Sequence, residues 1–269
     1  MIIDFHTHVF PDKIAQKTID LLAAKAQIPP FSDGSVAGLL DEMEKGGADI
    51  AVTLPVLTNP LQFEGVNRFA LQINERFANE SRRLISFAGI HPKCDSIEEK
   101  MAWIRKSGFL GVKLHPDYQE TYINDQGYIK ILECAKELDL IVVTHAGVDG
   151  GYRDKPVMCP PALTKEVIRK VGHSKLVLAH YGGNEMSDDV LDMLCGEDVY
   201  FDTAYILRYI GEDTFKKILG KHGADRILFA TDSPWSSIAG DVEIIRSFSL
   251  DKETEEKIFC ENAKKLLGI

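Results

Sequence analysis

The sequence predicts a single-domain α/β protein, a (β/α)8 TIM barrel over residues 1–269, with a small helical insertion after the first strand. Three observations carry that expectation. The length of 269 residues is the size such a barrel needs. Short, β-branched apolar runs alternate with amphipathic stretches from end to end, as in parallel strands covered on both faces. No G-x-G-x-x-G turn follows the first run, which weakens the open doubly wound sheet as the alternative.

Eight strand candidates fall at residues 2–5, 50–54, 84–90, 110–114, 140–144, 175–179, 199–202 and 226–230. Between them, apolar positions recur at helical spacing, as in Ile129, Leu132, Ala135 and Leu138. Two helices are expected between the first and second strands, over 12–27 and 36–45, separated by the breaker run Pro29-Pro30-Phe31-Ser32-Asp33-Gly34. Gly47, Gly108 and Gly223 stand where helices end and a left-handed residue is needed. The acidic stretch 251–261 reads as a solvated surface helix, and Trp103 as core.

With 31 Lys and Arg against 41 Asp and Glu, the formal net charge is −10, which repels nucleic acid and anionic lipid. No apolar run approaches the ~20 residues a bilayer requires. Met1 leads straight into Ile2-Ile3-Asp4 without a signal-peptide charge cluster, so the chain is expected in the cytoplasm. Five widely spaced cysteines with no C-x-x-C pair indicate neither a disulfide framework nor a thiolate metal site.

The histidines are not scattered. Six of the eight, His6, His8, His91, His115, His145 and His180, stand at or just past the end of a predicted strand. In a barrel those ends converge on one mouth. Asp4, His6 and His8 are spaced by two, which puts them on one strand face. His145, His180 and Asp232 close three later strands. Neutral imidazoles with one carboxylate suit Zn²⁺ first, then Mn²⁺, Fe²⁺ or Co²⁺, whereas Mg²⁺ and Ca²⁺ fit poorly.

Asp4-Phe5-His6-Thr7-His8, His145-Ala146-Gly147, Ala179-His180-Tyr181-Gly182-Gly183 and Ala230-Thr231-Asp232-Ser233-Pro234 together resemble the metal motifs of the amidohydrolase superfamily. The resemblance is to the compact branch that includes aromatic and muconate-type decarboxylases and lactonases. It implies a metal centre of His6, His8, His145 and Asp232, with Asp232 and His180 catalytic. It also implies one ion rather than two; a carboxylated Lys113, or His180 as a ligand, would signal the second. The implied reaction is metal-dependent hydrolysis of an ester, lactone or amide bond of a small, anionic substrate. Non-oxidative decarboxylation of a small carboxylic acid is the alternative, and a non-catalytic metal- or ligand-binding barrel the answer of another class. The partner is a small molecule, and a homodimer is a family-level expectation.

Other residues have bland readings beside the functional ones. His91-Pro92 and His115-Pro116 either line the pocket or bond loop carbonyls, and Lys113 is either catalytic or paired with Asp4 or Asp202. Asp4 reads as an acceptor that orients a ligand, and Asp202 as a turn residue rather than a substrate contact. Tyr152, Arg153 and Lys155, on a glycine-rich loop, are candidate contacts for an anionic substrate, although a solvated loop is the simpler reading. Trp235 is expected to wall the mouth, and Cys159 to be a bystander.

Overall fold

The computed structural model describes residues 1–80 and 83–269. Its strands are β1 (Ile3–Thr7), β2 (Ile50–Thr53), β3 (Arg83–Ser86), β4 (Ala88–Gly89), β5 (Gly111–Leu114), β6 (Ile141–Thr144), β7 (Leu176–Leu178), β8 (Tyr200–Asp202) and β9 (Ile227–Leu228). All pairings are parallel, in the order β1-β2-β3 and β4 through β9. The strand expected over 84–90 is split at Phe87, whose N–H turns to Thr53 O at 3.0 Å. β3 and β4 together therefore make one stave, and among the described residues the staves number eight.

Closure comes from the two ends of the chain. Phe5 N–H donates to Phe229 O at 2.9 Å, Asp232 N–H to His6 O at 2.8 Å, and His8 N–H to Ser233 O at 2.7 Å. Phe5, Phe87, Val112, Val142, Val177, Phe201 and Phe229 are fully buried, as strands covered on both faces require. Among the described residues no helix is long and apolar enough to cross a membrane.

The expected insertion is present as helices Ala15–Ala26 and Val36–Gly46. Gly47 ends the second in the left-handed region, at φ 67°. Two expectations are corrected. Only Lys252–Glu256 of the acidic stretch is a wet helix; Lys257–Glu261 is a π-helical turn that buries Ile258, Phe259 and Cys260. Phe259 sits 5.0 Å from the Phe229 ring, and Ile258 O accepts from Phe229 N–H, so this turn closes the back of β9. Trp103 is 40% exposed, lying edge-on to Phe63 rather than inside the core.

Candidate metal centre

β1 delivers His6 and His8 to the mouth, and the turn after β9 brings Asp232 opposite them. Three ligand atoms form a triangle. His6 Nε2 and His8 Nε2 are 3.2 Å apart, His8 Nε2 and Asp232 Oδ1 3.0 Å, and His6 Nε2 and Asp232 Oδ1 3.3 Å. Bonds of about 2.0–2.1 Å at a tetrahedral angle put neighbouring ligand atoms about 3.3 Å apart. The triangle is thus the size of one face of a divalent-ion site.

The outer nitrogens fix the inner ones. His6 Nδ1 lies 2.9 Å from Asp202 Oδ2, and His8 Nδ1 lies 2.8 Å from Leu54 O. Each Nδ1–H donates outward, which leaves each Nε2 lone pair facing the triangle. Burial lowers the His6 pKa well below the usual imidazole value, so this ring stays neutral. Burial pushes the Asp232 carboxyl up, and only positive charge at the triangle pulls it down; a neutral His6 ring does not supply that charge, whereas the Lys113 ammonium or a bound cation does. Two lone pairs and an ionised carboxylate therefore converge on one point, an arrangement that a cation compensates.

Lys113 comes to the same point from β5. Its Nζ is 2.9 Å from His6 Nε2, and burial lowers its pKa to about 8 against the pull of Asp202 and Asp232. Asp4, one of its two expected partners, is engaged elsewhere, accepting from Thr231 Oγ1 at 2.6 Å and from the Thr231 and His6 backbone N–H groups. Asp202 is the residue sequence reasoning placed wrongly. It grips His6 and accepts from the His180 and Ala204 N–H groups, so it orients a site residue instead of merely ending a strand. The signal was available, because Asp202 also closes a strand at the mouth.

His145 does not join the triangle. Its Nδ1 is 2.9 Å from His180 Nε2, and its ring is stacked on His115 with centroids 4.3 Å apart and planes 10° apart. That stacking fixes the plane of His145 and turns its Nε2 toward Asp117 Oδ2, 3.9 Å away. His115, His145 and Asp149 also offer ligand atoms within 4.8 Å of one another. Two parallel rings, however, cannot both aim in-plane lone pairs at one ion, so this second cluster is stacked packing. His180 donates from Nδ1 to Ala204 O at 2.9 Å, and its ring lies 5.7 Å from that of His6.

His180 and Asp232 both hold left-handed backbone, at φ 57° and 64°, which costs of order 1–3 kcal/mol per residue and turns each side chain inward from a strand end. Gly147, at φ +82°, is required by its neighbour: a Cβ there would stand 2.2 Å from Asn184 N, on the β-bridge that joins the loops after β6 and β7.

These side chains floor a cavity of about 530 Å³, within the range of small-molecule sites. His6, His8, Lys113, His115, His145, His180 and Asp232 line it, and Trp235 walls it as expected. His91 is not among the lining residues; its Nδ1 accepts from Lys93 N–H at 3.1 Å, so it bonds a loop amide rather than the expected loop carbonyl. Arg153 is paired with Glu185 and Lys155 with Glu120, and neither lines the cavity, although Val148, Asp149 and Gly150 of the same loop do. Cys159 is buried, with its thiol pushed up to about 12 by burial.

Comparison with known proteins adds the following. A TIM-barrel protein from Bordetella bronchiseptica superposes with a TM-score of 0.77 at 16% identity, over 99% of this chain and 98% of that one. A dihydroxybenzoic acid decarboxylase from a Polaromonas species, solved with bound manganese, gives 0.70 at 16% identity, over 99% and 96%. A Pseudomonas putida protein provisionally named a 2-pyrone-4,6-dicarboxylic acid hydrolase gives 0.68 at 17% identity, over 99% and 97%. Identities this low show the shared fold. The search of curated proteins found no match. The amidohydrolase family model matches residues 3–269, and the chain therefore belongs to the amidohydrolase family.

Proposed function

We propose that the chain is a hydrolase that opens an ester, lactone or amide bond of a small molecule, using one divalent ion held by His6, His8 and Asp232, with zinc the first choice. The observation that carries this is the triangle of Nε2, Nε2 and Oδ1 atoms 3.0–3.3 Å apart, each nitrogen oriented by an outward hydrogen bond. Imidazole and carboxylate donors in that number suit zinc, and manganese fits the same set. His145 Nδ1 and His180 Nε2, 2.9 Å apart, supply the adjacent corner.

When bound, such an ion supplies Lewis-acid polarisation of a carbonyl and an acidified water. Asp232, whose Oδ1 stands at the triangle 3.0 Å from His8 Nε2, takes the water proton. The water oxygen bonds to the acyl carbon, the bond to the leaving oxygen or nitrogen breaks, and the leaving group is protonated through Asp232 or His180. Asp202 keeps His6 in the tautomer the site needs.

Decarboxylation is the second reading, favoured by one feature. Lys113 places an amine beside the triangle, where a substrate carboxylate could be gripped. Metal analysis of protein purified without chelator, followed by acid-release and carbon dioxide assays on ester, lactone, amide and aryl-acid panels, decides between them. Acid release that needs the metal supports hydrolysis. Carbon dioxide without acid supports the lyase, and protein that binds no divalent ion refutes both.

A further inference from the structure

The cavity has two unlike ends. Its floor is polar, but the wall above is apolar, and much of that wall comes from the inserted helix Ala15–Ala26. Ile14, Thr18, Leu22 and Ala26 all face the cavity. Their spacing of four puts them on one stripe of the helix. Ala15 and Ile19, the positions one residue on, are the buried ones. The stripe itself is only half-covered: Ile14 is 49% exposed. An apolar stripe that faces a ligand cavity rather than the core calls for an apolar occupant.

Charge points the same way. Among the described residues, the one Lys or Arg that lines the cavity is Lys113, and it lies on the floor against His6. The basic residues near the rim are otherwise engaged: Lys25 Nζ lies 3.3 Å from the Tyr152 ring centroid, Arg153 is on Glu185, and Lys155 is on Glu120. Asp149 and Asp232 add acid rather than base to the lining. A substrate with a remote carboxylate would leave it unpaired, at the cost of desolvating a charge.

We propose that the substrate carries an uncharged hydrocarbon arm along the stripe Ile14-Thr18-Leu22-Ala26, with its reacting carbonyl on the floor; the class is an alkyl-substituted lactone or ester. This rests on the hydrolase reading for the reacting group, and on the cavity wall alone for the arm.

Two ladders on the metal-loaded protein test it. In the first, kcat/KM is measured for γ-butyrolactone, γ-hexalactone, γ-heptalactone and γ-nonalactone, with 2-pyrone-4,6-dicarboxylate as the anionic probe. Each added methylene should raise kcat/KM about threefold to fourfold until the cavity is filled, and the dicarboxylate should be the poorest substrate. In the second, affinities of 2-alkylcyclopentanones of matching chain length, which cannot be hydrolysed, are read by calorimetry and should climb in the same steps. Leu22→Asp should flatten both ladders; its melting curve reports folding, and the native ladders stand without it.

Lactone turnover with no dependence on chain length, or a preference for the dicarboxylate, overturns the arm and leaves the hydrolase reading standing. A rising ketone ladder with no lactone hydrolysed, and no acid released from the ester and amide panels, overturns the hydrolase reading and leaves the arm standing. A flat ketone ladder with no turnover overturns both.

Discussion

At the N-terminal end of the strands, His173 places Nε2 2.8 Å from Leu140 O, and His222 places Nε2 3.0 Å from Val199 O. Each ties the end of a helix to the residue just before a strand. His222 also accepts from Gly196 N–H at 3.2 Å and stacks on Phe201 with ring centroids 3.8 Å apart. At the opposite end, His6 and His8 spend one nitrogen on an orienting acceptor and leave the other facing a ring, a carboxylate and, for His6, the Lys113 amine. Burial is similar, since His6, His173 and His222 all lie within the protein. The difference is what the second nitrogen meets. A buried imidazole whose ring bonds only backbone is a staple, whereas one whose lone pair faces another lone pair calls for a cation.

Asp232→Asn should break the top of the barrel without touching the bottom. It removes the carboxylate that holds the triangle and accepts the proton, so kcat/KM is expected to fall about 10³-fold or more, while the melting temperature changes little. Full activity at unchanged metal content would remove Asp232 from both roles.

His222→Ala is the converse. It deletes two backbone hydrogen bonds and a stacked ring from a buried site, and urea unfolding at pH 7 should show a loss of about 2–3 kcal/mol. Steady-state kcat/KM should stay within a few-fold of the native value. A collapse of activity with little change in stability would mean that the bottom histidine serves the site after all, through Phe201 and its neighbour Asp202.

Acid sharpens the same contrast. Burial lowers the His222 pKa from 6.5 to about 4, so the folded state binds fewer protons than the unfolded chain between those values. Its contribution to stability is complete above pH 6.5 and is lost as pH falls through 4; the gap corresponds to about 3 kcal/mol. Asp4, raised by burial to about 8, works in the opposite sense, weakening the fold as pH rises toward that value. The native protein should therefore lose stability between pH 6.5 and 4 by more than His222→Ala does, and equal slopes would show that His222 carries no part of it.

The strand-end histidines were legible in the sequence because a barrel gathers its C-terminal strand ends whatever its loops do, and because a spacing of two is enough to put His6 and His8 on one face. Asp202 was not read as the partner of His6, because that contact joins residues 196 apart in the chain and depends on which staves close the barrel. The orientation of His145 was equally hidden, since it is set by the flat face of His115 rather than by its own strand. The burial of Ile258, Phe259 and Cys260 escaped an acidic-stretch reading because three apolar residues in a π-helical turn do not show the 3.6-residue period.

The smallest expected effect concerns the loop after β6. Arg153 and Lys155 were the sequence features that suggested an anionic substrate, and both are exposed and paired with glutamates on the surface. Exposed pairs of this kind contribute little because water and salt screen them. Arg153→Ala and Lys155→Ala, singly or together, should leave kcat/KM on any accepted substrate within about twofold and should not alter its salt dependence. If either variant instead raised KM tenfold for a carboxylated substrate alone, with the effect fading at high salt, the rim would be an anion-binding surface, and the apolar wall supplied by Ala15–Ala26 would no longer decide what enters the cavity.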